Sequence, residues 1–188
     1  MKNLSILRIT ISGLLIAVGI AIPAFSPVKI ILEPASFTLA SHVPIFIAMF
    51  ISSGMAAAVA FGTTIGFFLG GFPLVVALRA ASHILFATLG ALYLRRAQKT
   101  SSNVLILWVF SFCVALVHAL CELIVVSVFY FKGSMGSTYY QRGFLTSVLF
   151  LVGLGTVIHS MVDFKIAHII LSTLRKHLNL EELILRIE

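Results

Sequence analysis

The sequence predicts an all-α integral membrane protein of about six transmembrane helices with both termini cytoplasmic, and three observations carry that prediction. Hydrophobic residues fill 60% of the 188 positions and charged residues 10%, where a soluble domain has about 45–50% and about 25%. Positions 34–78 contain no Asp, Glu, Lys or Arg. The basic residues that give the net charge of +7 collect at the ends of apolar runs, which is how membrane topology rather than nucleic-acid binding distributes them. Each span needs about 20 mostly apolar residues, so the length allows six or seven spans and leaves no soluble catalytic domain.

Taken in order, the first span is expected at 5–24, retained as a helix and not cleaved as a secretory signal, because Pro23 stands where a cleavage motif would be. Pro23 and Pro27 end it. A polar-edged loop follows at 26–41. The uncharged stretch is too long for one span, so two are expected at 42–52 and 54–70, turned at Ser52, Ser53 and Gly54. After the break Gly70-Gly71-Phe72-Pro73, a fourth span is expected at 74–94, closed by Arg95, Arg96 and Lys99. A fifth covers 104–126 and a sixth 144–162, separated by a loop at 131–143 with interfacial Tyr139 and Tyr140. The tail, 163–188, alternates charges with Leu174, Leu178, Leu183 and Ile184, as an amphipathic helix at the membrane surface would. Six spans place Lys2, Arg8, Arg95, Arg96, Lys99, Arg175 and Lys176 on the cytoplasmic side, with Lys29, Lys132 and Arg142 opposite.

A charge at mid-bilayer costs about 2.5–3.5 kcal/mol on insertion scales, so an ionisable residue inside a span needs a partner or a purpose. Arg79 and His83 are four apart in the fourth span, and His118 and Glu122 are four apart in the fifth. Each pair therefore shares a helix face. Rise per residue puts the two pairs at matching depths when the spans run in opposite directions. Two arrangements are open: Arg79 and Glu122 neutralise each other, or they line a pocket where Arg79 meets a solute carboxylate and Glu122 or a histidine meets a ring nitrogen or hydroxyl. His159, Asp163 and Lys165 are expected near headgroups, and His42 where the second span begins. The spacing of His83, His118 and His159 matches no zinc motif, so no metal site is expected. Cys113 and Cys121, about 12 Å apart along one helix, are expected as buried thiols and not as a disulfide.

No H-E-x-x-H, G-x-S-x-G or Walker G-x-x-x-x-G-K-[ST] pattern occurs, so the sequence points to neither a protease, an esterase nor a self-powered ATPase. No cofactor is expected. Gly13, Ala17 and Ala21 recur every four residues and make a smooth face on the first span, suited to close approach of another helix.

With Ala17-Val18-Gly19-Ile20-Ala21 on its first span, the chain resembles the substrate-binding S components of energy-coupling factor (ECF) vitamin importers over its whole length. The segments Phe37-Thr38-Leu39-Ala40-Ser41-His42-Val43-Pro44 and Leu78-Arg79-Ala80-Ala81-Ser82-His83 are similar to the niacin, pantothenate and pyridoxine or hydroxymethylpyrimidine group. The resemblance implies a multi-pass protein of the bacterial plasma membrane that captures a small water-soluble vitamin. It further implies docking through Gly13, Ala17 and Ala21 onto a transmembrane coupling subunit served by two ATPases. Niacin is the favoured solute, because a small anion with a ring nitrogen suits one Arg and one Glu or His. Pantothenate and pyridoxine or hydroxymethylpyrimidine are the alternatives within the family. From other classes, a stand-alone secondary transporter with a proton carried on Glu122 and His118, or a membrane-embedded enzyme, would answer to the same residues.

Overall fold

In the computed structural model, residues 2–32, 35–96 and 104–177 are described. The elements run α1 (Lys2–Phe25), β1 (Lys29–Leu32), β2 (Ala35–Thr38), α2 (Val43–Ile51), α3 (Ser53–Leu69), α4 (Leu74–Arg96), α5 (Val104–Phe131) and α6 (Ser137–Gln141), then a π-helical stretch (Leu145–Leu154) that continues into α7 (Gly155–His177). Lys99 and residues 178–188, with Leu178, Leu183 and Ile184, lie outside the described residues.

The expectation of six spans is corrected to four helices of spanning length and apolarity among the described residues. Ser5–Phe25, Leu74–Arg96, Val104–Phe131 and Leu145–Leu174 are long and apolar enough to cross a bilayer. Helix α2 has nine residues and α3 seventeen, about 14 and 26 Å against a hydrocarbon core of about 30 Å. The uncharged stretch misleads because its apolarity serves protein packing as well as lipid. Seven of the nine residues of α2, from Val43 to Ile51, are buried, and a helix apolar on all sides is a core helix as readily as a span. Phe46 of α2 packs against Phe86 of α4 and Phe164 of α7. The turn between α2 and α3 falls at Ser52, whose hydroxyl caps α3 by accepting from the Met55 N–H.

Two further differences bear on the site. The loop expected at 26–41 contains an antiparallel hairpin, β1 with β2, paired from Lys29 with Thr38 to Leu32 with Ala35. The last spanning helix does not stop at position 162 but runs on through Asp163 and Lys165 to His177, so positions 163–177 extend a packed helix. The loop at 131–143 contains the short helix α6. Both cysteines are free, with Cys113 exposed and not buried as expected.

Helix α1 has two different faces. Gly19 is buried against Thr63, and Ile16 and Ile20 fill the spaces beside Gly62 and Gly66 of α3, where a Cβ would collide with them. Gly13, Ala17 and Ala21 point away and are exposed. Close packing of α1 on α3 thus uses the glycines of α3. Gly66→Val is expected to force α1 away from α3 and to lower the thermal midpoint in detergent by several degrees, an overpacking cost of about 1–3 kcal/mol. An unchanged midpoint would contradict this packing.

Candidate functional site

Three helices carry an ionisable pair at i, i+4: Arg79 and His83 on α4, His118 and Glu122 on α5, and His159 and Asp163 on α7. Residues four apart share a helix face, and the bundle turns all three faces inward at the end that carries the hairpin. His42, just before α2, completes the set. A cavity of about 300 Å³ opens there, lined by Arg79, His83, Glu122, Thr156, His159 and His42 among others.

Glu122 is the hub of one half. Arg79 Nη2 donates to its Oε2 at 2.9 Å, and Thr156 Oγ1 donates to the same oxygen at 2.6 Å. Its other oxygen, Oε1, faces His83 Nε2 at 3.3 Å and His118 Nε2 at 3.5 Å. The second distance is too long for a good hydrogen bond, and neither ring nitrogen of His118 has a hydrogen-bond partner although the residue is fully buried. Arg79 Nε is likewise buried without a partner. The structure therefore brings together Arg79, His83, His118 and Glu122, from two helices, around one carboxylate.

Asp163 is the hub of the other half, and the headgroup expectation for it is corrected: it is fully buried. Its Oδ1 accepts from the Ala40 N–H at 2.8 Å and its Oδ2 from the His42 N–H at 2.9 Å. His42 Nδ1 at 3.2 Å and His159 Nε2 at 3.3 Å also face Oδ2, and Ser41 Oγ lies 3.1 Å from His159 Nε2. Ala40 has φ of 67°, a left-handed conformation that costs a non-glycine residue about 1 kcal/mol or more. The carboxylate holds that turn in place. Burial pushes the His42 imidazole below its ordinary value, against the pull of Asp163. Phe37 of β2 lies over His159 at 5.4 Å between ring centroids and against Gly155, where any Cβ would meet its ring. The hairpin is thereby seated on α7 beside the cavity.

The sequence reading did not assign Asp163, His159, Thr156 or Ser41 to the site. A signal for two of them existed, since His159 and Asp163 repeat the i, i+4 spacing of the other pairs. It was outweighed by their expected place at the end of a shorter helix.

No family model matches the chain, and no solved structure matches it. Among curated proteins, the niacin transporter NiaX of Lactococcus lactis subsp. cremoris (strain MG1363) is 40% identical over 166 residues, covering 88% of this chain and 73% of that protein.

Proposed function

The chain belongs to the family of the niacin transporter NiaX, within the S components of ECF importers, and we propose that it captures niacin at the cavity between α4, α5, α7 and the hairpin. It is a multi-pass protein of the bacterial plasma membrane and a transport subunit, not an enzyme. The observation that carries the reading is Arg79, which lines the cavity and whose Nη2 already holds a carboxylate oxygen, that of Glu122, at 2.9 Å. A carboxylate entering there would be met by a planar fork. The same lining offers His83, His159 and Glu122 to a ring nitrogen. A cavity of about 300 Å³ stands at the small end of ligand pockets, which suits a single aromatic ring with one substituent.

Calorimetry on the purified chain tests this directly. Niacin is expected to bind, and nicotinamide, which keeps the ring nitrogen but lacks the anion, is expected to bind at least about tenfold more weakly, because Arg79 would lose a charged partner. Equal affinities would remove the carboxylate from recognition. Tighter binding of pantothenate or pyridoxine would replace niacin as the solute.

The coupling partners belong to the same proposal. Gly13, Ala17 and Ala21 are exposed on α1 while the face carrying Gly19 packs on α3, and nothing within 4 Å would meet a Cβ at Gly13. The small-residue face is open to a helix of a transmembrane coupling subunit, which two ATPases would drive. Replacing Ala17 and Ala21 by leucine is expected to leave niacin affinity unchanged and to abolish ATP-driven uptake in cells. Loss of affinity in that variant would mean that the face serves the chain's own packing.

A further inference from the structure

We propose that His42, His83, His118 and Glu122 bind one divalent transition-metal ion, of the class of zinc, cobalt and nickel, beside the cavity that His42, His83 and Glu122 line. The four come from α4, α5 and the turn before α2, and their potential ligand atoms all lie within 4.8 Å of one another. In a tetrahedral site with bonds of about 2.0–2.1 Å, ligand atoms are about 3.3 Å apart. Glu122 Oε1 already lies 3.3 Å from His83 Nε2 and 3.5 Å from His118 Nε2. The three imidazoles form a nearly equilateral triangle, with centroids 4.7–4.8 Å apart and rings inclined by 69° to 85°. That is how three rings stand around a common ion, and it is a poor arrangement for hydrogen bonding among themselves.

The groups behind these ligands fit the same reading. Histidine ligands usually engage a carboxylate or carbonyl through their other ring nitrogen, which fixes the ring's orientation. Asp163 does this for His42, facing Nδ1 at 3.2 Å and leaving Nε2 as the nitrogen for an ion. Arg79 and Thr156 both hold Oε2 of Glu122, which leaves Oε1 turned to the histidines. His118 supplies the independent sign of a missing partner, being fully buried with neither ring nitrogen hydrogen-bonded. Buried polar atoms without partners are costly, and a metal ion would satisfy one of them.

Charge points the same way. With neutral histidines, Arg79, Glu122 and Asp163 give the site a net charge of −1, an unfavourable host for a carboxylate solute. A divalent cation reverses the sign. It also shares neutralisation of Glu122, so that Arg79, while still holding Oε2 through Nη2, keeps positive charge for the solute. Metal and solute anion should therefore strengthen each other's binding, reciprocally. This second part rests on the niacin reading, whereas the metal site does not. Sequence spacing cannot reveal the site, because positions 42, 83, 118 and 122 are brought together only by the packing of three helices.

Tag-free chain, purified in detergent and stripped with a chelator, would be titrated with Co²⁺. The expected result is visible ligand-field absorption of a tetrahedral N/O site that saturates at one equivalent and is bleached by Zn²⁺. In His118→Ala, Co²⁺ affinity should fall at least about tenfold. Wild-type chain that shows no such absorption overturns the proposal, whether or not the variant folds, and so does absorption that persists undiminished in His118→Ala. Niacin affinity should rise at least about fivefold with the metal bound. A niacin affinity indifferent to metal but dependent on pH would overturn the coupling, with a proton on the histidines supplying the positive charge instead. Absence of niacin binding altogether, with the Co²⁺ signal intact, would refute the solute and not the metal site.

Discussion

Replacing Asp163 by alanine is expected to cost the fold at least about 3 kcal/mol and to abolish solute binding. The carboxylate is fully buried and accepts from two backbone N–H groups, those of Ala40 and His42, while facing two imidazoles. Truncation leaves both N–H groups without their acceptor, at about 1–3 kcal/mol each. It also releases Ala40 from the left-handed conformation that the carboxylate maintains. For a chain of this length, 3 kcal/mol lowers the thermal midpoint by about 6–12 °C, readable from a melt in detergent. Asp163→Asn keeps one acceptor oxygen and should fall between wild type and alanine. Ala40→Gly supplies a control, because glycine adopts that φ without penalty, and in the Asp163→Asn background it should recover about 1 kcal/mol. A midpoint within about 2 °C of wild type for Asp163→Ala would show that the hairpin is held in place by other contacts.

Arg79→Lys is expected to weaken niacin binding at least tenfold, about 1.4 kcal/mol, while the protein remains folded. Lysine keeps the charge but replaces a planar fork by a point charge that cannot meet a carboxylate with two parallel hydrogen bonds. If Arg79 only neutralised Glu122, the same change would cost binding little. Arg79→Gln separates the two roles further. It leaves Glu122 buried with Thr156 and the histidines as its remaining partners, and an uncompensated buried charge costs about 3–5 kcal/mol, so the yield of folded protein should drop. Adding Glu122→Gln should restore yield without restoring binding. Calorimetric affinity of Arg79→Lys within about twofold of wild type, under 0.5 kcal/mol, would sink the carboxylate clamp and the preference for niacin with it.

Composition alone determined that this chain lives in a bilayer, because 60% hydrophobic residues exceed what one soluble core can remove from water. Helical period alone paired Arg79 with His83 and His118 with Glu122, since spacing by four is a local property that needs no fold. The number of spans was beyond local reading: an apolar stretch reads alike whether it faces lipid or protein, and only the burial of α2 inside the bundle separates the two. The hairpin was hidden for a related reason, as strand pairing is made between residues and not within one. Asp163 was misplaced because its apparent depth depended on where the last helix ended, and the helix runs on for fourteen residues beyond it. Its partners, Ala40 and His42, stand more than 120 positions away, and such long-range contacts, which help set His42 and His159 in the cavity that Glu122 also lines, exist only once the helices pack.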